Sequence, residues 1–113
     1  MFRPGEIAIA AFPFSSLTAA KRRPCVIIAA CDTPGDFLVA FITSVPPNPA
    51  WRNAVAVTPQ HPEWRRTGLR LPSNVRVDKL TTLHVSVLSG AIGTLPADLM
   101  VTVKLALKSW LGL

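Results

Sequence analysis

The stretch "PCVIIAACDTPGDFLVAFITS", residues 24 to 44, decides the fold. Two apolar runs, 24 to 31 and 37 to 44, flank "DTPGD", whose aspartates, proline and glycine are turn chemistry. Short runs rich in Val, Ile and Phe read as buried strands, and a tight turn between them predicts an antiparallel hairpin. A hairpin brings its two far ends together whatever the fine register. The cluster Lys21, Arg22 and Arg23 just before Pro24 must therefore sit beside Thr43 and Ser44 at the end of the next strand.

Working outward, "GEIAIAAF" (5 to 12) begins as a strand and "PFSSLTAAKRR" (13 to 23) reads as a polar loop. "VPPNPAWR" is a rigid loop, "NAVAVT" (53 to 58) a short strand, and "PQHPEWRRTG" a second loop. "LRLPSNVRVDKL" (69 to 80) alternates, "SVLSGAIGTL" (86 to 95) closes as a last strand, and no internal repeat is present. From Pro96 the pattern is helical, with Pro at the first helical position and Asp98 in the first turn. Leu99, Val103, Ala106 and Trp110 recur at helical spacing, widened by Met100, Leu107 and Leu111, and this face is expected to pack on the strands. Val101 and Leu105 fall on the opposite side near Thr102, Lys104 and Lys108, where an oligomer or partner contact would cover them. The expected fold is mainly β: one domain over 1–113, a small curled sheet or barrel of short strands with a C-terminal α-helix.

The 113 residues carry a net charge of +6 with an isoelectric point near 10.4, which favours a polyanionic partner, nucleic acid or an acidic protein segment. Half the residues are hydrophobic and the mean hydropathy is +0.38, so the charge sits on a folded body. Arg3 and the apolar stretch after it superficially resemble a signal peptide, but Glu6 and the prolines at 4 and 13 spoil the pattern. No apolar run approaches the ~18 residues of a membrane span, and a soluble, cytoplasmic protein is expected. Cys25 and Cys31 lie in one predicted strand, ~20 Å apart at about 3.3 Å per residue, too far for a disulfide. They read as buried free thiols. With His61 and His84 they show no ligand spacing, so neither a metal site nor a cofactor is expected.

A symmetric hairpin places Arg23 opposite Val45 and diagonal to Thr43, at roughly 7 to 8 Å on one face. An Arg fork with a neighbouring hydroxyl suits a phosphate, because the guanidinium donates two parallel hydrogen bonds and the hydroxyl adds a third. A solvated basic loop is the other reading of the same residues. Two further loops combine aromatic and basic residues, Trp51 with Arg52 and Trp64 with Arg65 and Arg66. Each indole either stacks on a base of single-stranded RNA or plugs the core. Arg70, Arg76 and Lys79 either line the same groove or stand as exposed strand residues.

"GEIAIAAFPF", "KRRPCVIIA", "VAFITS", "VRVDKLTTL" and "IGTLPADLM", in this order across nearly the whole chain, resemble the MazF/PemK family of toxin endoribonucleases from bacterial toxin–antitoxin systems. The resemblance implies an SH3-like barrel with a C-terminal helix, a homodimer, and a cognate antitoxin that blocks the RNA site. The family's catalytic arginine precedes the proline of its "RP" motif, here Arg23, and its threonine ends the following strand, here Thr43, with Ser44 beside it. The implied reaction is metal-independent cleavage of single-stranded RNA, in which the ribose 2′-OH attacks the adjacent phosphorus to leave a 2′,3′-cyclic phosphate and a 5′-OH. Arg keeps its proton to a pKa above about 12, so Arg23 reads as the stabiliser of the phosphorane, with Thr43 positioning a phosphoryl oxygen. Lys21, Arg22, Ser44, Trp51, Arg52, Trp64, Arg65 and Lys79 are the expected substrate-binding residues. The chain departs from the commoner family pattern at "TAAK", where glycine often precedes "RP", and Arg22 stands close enough to Arg23 to compete for the phosphate. Two alternatives share the barrel: a gyrase-binding toxin of the CcdB type, which the terminal "SWLGL" favours, and a catalytically silent RNA-binding module.

Overall fold

The computed structural model describes residues 1–12 and 21–113, without the side chains of Phe12 and Lys21. Residues 13 to 20 of the expected polar loop lie outside the described residues. The elements are β1 (Glu6–Phe12), β2 (Lys21–Ala30), β3 (Asp36–Thr43), β4 (Ala54–Val57), β5 (Ser73–His84), β6 (Leu88–Thr94) and α1 (Ala97–Leu111). The strands form one sheet in the order β4-β5-β3-β2-β1-β6, every neighbouring pair antiparallel. The mainly β fold with one C-terminal helix is as expected.

The hairpin is β2 with β3, closed by hydrogen bonds from Cys31 N–H to Asp36 O at 2.9 Å and from Asp36 N–H to Thr33 O at 3.1 Å. β2 starts earlier than its apolar run: Lys21, Arg22 and Arg23 belong to the strand and pair with Phe12, Ala11 and Ala10 of β1. A backbone ladder is indifferent to side-chain polarity where one face meets solvent, so the change from apolar to charged residues did not mark the strand end. The pairs Cys25↔Phe41, Val26↔Ala40 and Ile27↔Val39 give way beyond a bulge at Ile28 to Ala29↔Leu38. Carried outward, this register sets Arg23 opposite Thr43 and not Val45. The parity is unchanged, so the two side chains keep the expected common face.

β5 runs past the predicted end at Leu80 to His84 and is broken against β3 at Val77, Asp78 and Lys79, between the pairs Ala40↔Leu80 and Phe41↔Arg76. Bulges bend a strand and tighten its twist, so the half of β5 that pairs β4 turns away from the half that pairs the start of β3. The curl encloses a core of Ile7, Val26, Ile42, Val57, Val75 and Val77, covered by Met100 and Val103 of α1. On the other face Cys25, Ile27, Val39 and Phe37 pack together, with Phe2 edge-on to Phe37 at 5.4 Å between ring centroids. Both cysteines are free, and burial pushes the Cys25 thiol up to about 11.

Pro96 is the N-cap of α1 and not its first helical residue, and Asp98 lies in the first turn as expected. Val101 and Leu105 are 57% and 63% exposed, in line with the helical spacing. Trp110 was expected in the buried stripe and is 51% exposed; Leu111 is exposed too. Both follow the packed residues at the right spacing, but α1 rests on β5 and the four-residue β4, and its buried residues, Met100 and Val103, lie in its first half. Helical spacing sets azimuth only; the length of the partner strand sets how many turns are covered.

The segment between β4 and β5 seals the sheet. Its 3₁₀ turn Trp64–Thr67 lies against β6, the edge farthest from β4 in the strand order. Gly68 has φ +69°, and a Cβ there would stand 2.2 Å from the Ile92 carbonyl oxygen; a Cβ on Gly93 would stand 2.3 Å from the Thr67 carbonyl. Two backbones meet where no side chain fits. The fully buried Thr67 donates Oγ1–H to Trp64 O at 2.7 Å and accepts from Leu69 N–H at 3.1 Å. The same segment is tied to the helix: Glu63 N–H donates to His61 Nδ1 at 3.0 Å, so Nε2–H faces the Asp98 carboxylate at 2.9 and 3.0 Å.

Gly93→Ala is expected to cost about 1 to 3 kcal/mol, the usual range for overpacking, read as a lowered urea midpoint with the urea dependence unchanged. The His61 hydrogen bond holds the Asp98 carboxyl below its ordinary 3.8. A depressed carboxyl contributes stability that is full above that value and is lost as pH falls through the folded-state value. Asp98→Asn should accordingly flatten the fall of the urea midpoint below pH 3.8 relative to the parent chain.

Candidate functional site

Between the open end of the β2–β3 hairpin and the segment that seals the sheet lies a cleft of about 780 Å³. Arg22, Arg23 and Pro24 of β2 and Thr43, Ser44 and Val45 at the end of β3 form one wall; Gly68, Leu69, Arg70, Leu71 and Ser73 form the other, over a floor that includes Ile9 and Ile92. Three arginines and no described carboxylate line it, so it suits an anion with an apolar part. Arg22 and Ser44 are exposed, Arg23 half-buried, and Thr43 only 5% exposed. Thr43 Oγ1 accepts from Val45 N–H at 3.1 Å, which fixes the rotamer and leaves the O–H as a donor.

Arg23 and Thr43 stand at the crest between this cleft and a second feature. The Arg23 guanidinium lies 5.3 Å from the centroid of the Phe41 ring. Phe41 pairs with Arg76 across β3 and β5, and the Arg76 guanidinium lies 4.0 Å from the centroid of the Trp51 ring. Asp78 accepts from Arg76 Nε at 2.9 Å and Nη2 at 2.6 Å, and that hydrogen bonding holds its carboxyl below the usual range despite the opposing effect of burial. Two residues apart on a strand share a face, which is why a side chain at 78 reaches one at 76.

The hairpin thus gathers Arg22, Arg23, Thr43 and Ser44, and Trp51 joins them through Phe41 and Arg76. Lys21 heads β2 with its Cα opposite Phe12. Arg52 is exposed next to Trp51. Trp64 is elsewhere: it packs, partly covered, on the main core and anchors the sealing turn. Arg65 and Lys79 are exposed and do not line the cleft, and Arg66 pairs with Glu63. His61 is held by Asp98 and Glu63, while His84 accepts from Ser86 N–H beside Gly35. Sequence reasoning missed Asp78, whose spacing from Arg76 was a visible signal, and the wall of Leu69 and Leu71, which only the path of the sealing segment creates.

A family model described as "PemK-like, MazF-like toxin of type II toxin-antitoxin system" matches residues 3–111. No curated protein sequence matches the chain. Among solved structures, a mycobacterial endoribonuclease in complex with its cognate antitoxin superimposes with a TM-score of 0.76 at 19% identity, over 100% of this chain and 97% of that one. The Mycobacterium tuberculosis toxin MazF-mt6 gives 0.73 at 27% identity, over 98% of each chain. MazF in a MazE–MazF complex from Deinococcus radiodurans gives 0.72 at 20% identity, over 99% of this chain and 96% of that one. With a family match that runs from the first strand through the helix, and the fold it predicts in place, the chain belongs to the PemK-like, MazF-like toxins of type II toxin–antitoxin systems.

Proposed function

We propose that this toxin is a sequence-specific, metal-independent endoribonuclease that cuts single-stranded RNA. The observation that carries the reading is the meeting of Arg23 and Thr43 on one cationic cleft. In the reaction the ribose 2′-oxygen gives up its proton and forms a bond to the adjacent phosphorus. The bond from phosphorus to the 5′-oxygen breaks, and that oxygen takes a proton, leaving a 2′,3′-cyclic phosphate and a 5′-OH. Arg23 stabilises the charge that develops on the phosphorane, and the Thr43 O–H, oriented by the Val45 bond, donates to a phosphoryl oxygen. Arg22 and Arg70 follow the neighbouring phosphates, and Ser44 adds a hydroxyl at the mouth; the expected contact of Lys21 lies outside the described side chains. Arg65, Trp64 and Lys79 take no part in this assignment, nor do His61 and His84.

A cognate antitoxin is the proposed partner, by likeness to the mycobacterial endoribonuclease and the Deinococcus toxin, both solved with theirs. An acidic or amphipathic antitoxin segment would compete with RNA for the basic cleft. A homodimer would cover Val101 and Leu105, both exposed on α1. No described helix is long and apolar enough to cross a membrane, and a cytoplasmic site of action follows from the proposed substrate.

A second reading, a toxin that binds gyrase without cleaving anything, is favoured by the exposure of Trp110 on the last turn of α1. Growth arrest and RNA mapping separate the two. Purified protein incubated with a long single-stranded RNA in EDTA should cut it at recurrent sequences and leave 5′-OH ends. Arg23→Ala should lower the rate by roughly 10²- to 10³-fold, the usual effect of losing one transition-state donor, while remaining folded. Intact RNA with folded parent protein, and toxicity that survives Arg23→Ala but is lost when residues 110–113 are removed, would replace the nuclease by the gyrase reading.

A further inference from the structure

Trp51, Arg76 and Asp78 do not line the cleft, yet they form a polar cluster held by two hydrogen bonds and a guanidinium–indole contact. The Arg76 side chain is 14% exposed, with both Nε and Nη2 taken by one carboxylate. A guanidinium held through two parallel bonds cannot rotate, so its plane is fixed against the indole it covers. The loop that carries Trp51 is itself turned back, by Trp51 N–H to Asn48 O at 2.8 Å and Ala50 N–H to Asn48 Oδ1 at 2.9 Å. The indole nonetheless keeps part of its surface in solvent. An indole immobilised from one side and partly open is what a flat apolar ligand requires.

The position of this cluster indicates which ligand. Phe41 faces Arg76 across one strand pair and lies under the Arg23 guanidinium on the other side. The row from Arg23 through Phe41 and Arg76 to Trp51 therefore crosses β2, β3 and β5, about 10 Å at two strand spacings. Arg23 belongs to both this row and the cleft. Resting on the reading of Arg23 and Thr43 as the cleavage site, we infer that Trp51, positioned by Arg76 and Asp78, is the stacking platform for one unpaired base flanking the scissile phosphate. The RNA strand then crosses the crest formed by Arg23 and Thr43, with one flank in the cleft and the other on Trp51. Stacking accepts any base but favours the larger purine rings, so the platform supplies a purine preference at one position and contributes to binding more than to the chemical step.

The test compares the parent with Trp51→Leu, Trp51→Phe and Arg76→Lys, each first shown to be folded by its thermal midpoint. The substrate is the best-cut oligoribonucleotide found by mapping a long RNA, then the same oligonucleotide with an abasic unit at each flanking position in turn. In the parent, one position should lose roughly 10- to 100-fold in kcat/KM when its base is removed, mostly through KM. Trp51→Leu should show that loss already with the intact substrate and no further loss with the abasic one. Trp51→Phe should restore the difference, and Arg76→Lys, which keeps the charge but not the fork, should fall between them. Equal abasic losses in the parent and Trp51→Leu at every position would overturn the platform and leave the nuclease standing. A folded parent that cuts no RNA would overturn the nuclease reading and the platform with it.

Discussion

The contact on which the site depends is between two stretches of bare backbone, Thr67–Gly68 against Ile92–Gly93, so close that a Cβ on either glycine would stand 2.2 to 2.3 Å from a carbonyl. Here the segment leaving β4 is brought onto β6, at the other end of the strand order, and closes the curled sheet. The consequence for the cleft is direct. Gly68, Leu69 and Arg70 continue from that contact as its far wall, and Ile92 next to Gly93 belongs to its floor. Trp64 in the core, buried Thr67 and the His61–Asp98 bond all hold the same segment in place, so residues without a place in the chemistry fix where a cationic residue of the chemistry stands.

The other wall is set by register. Successive strand residues face opposite ways, so Arg22 and Arg23 reach the crest from different sides of the sheet and do not compete for one position. Arg23 falls on the face of Cys25 and Phe41; Arg22 and Pro24 fall on the face of Val26 and Ile42. A bulge at Ile28 shifts the hairpin by one residue between its turn and its open end. Without that shift Arg23 would change partner and Thr43 would change face, which is the usual outcome of a one-residue slip.

What was legible in the sequence was local. The hairpin and the meeting of Arg23 with Thr43 follow from two apolar runs and a turn, and the order of strands followed by a helix from the change of period at Pro96. Features set by partners distant in sequence were not legible. Trp110 has the spacing of a buried residue but is half exposed on the last turn of α1, and Trp64 and Trp51 sit in similar aromatic and basic loops yet face the core and the surface respectively. The start of β2 was hidden because charged residues continue a ladder as well as apolar ones do. The extent of β5 was hidden because a bulge interrupts its alternation.

The distribution of the few acidic residues separates two kinds of arginine. Among the described residues the ion pairs are His61 with Asp98, Arg66 with Glu63 and Arg76 with Asp78; none involves Arg22 or Arg70. An arginine without a carboxylate partner keeps its full attraction for a phosphate, and Arg22 and Arg70 both border the cleft. Arg76 is neutralised by Asp78, whose low-lying carboxyl keeps the pair ionised, so it contributes little field and a fixed plane. A chain of net charge +6 has no shortage of phosphate binders. What it needs beside the scissile position is a surface that does not hold the backbone, and a compensated guanidinium stacked on an indole provides one: phosphate is drawn to the crest and cleft, and the flat, neutral base is left to settle on Trp51.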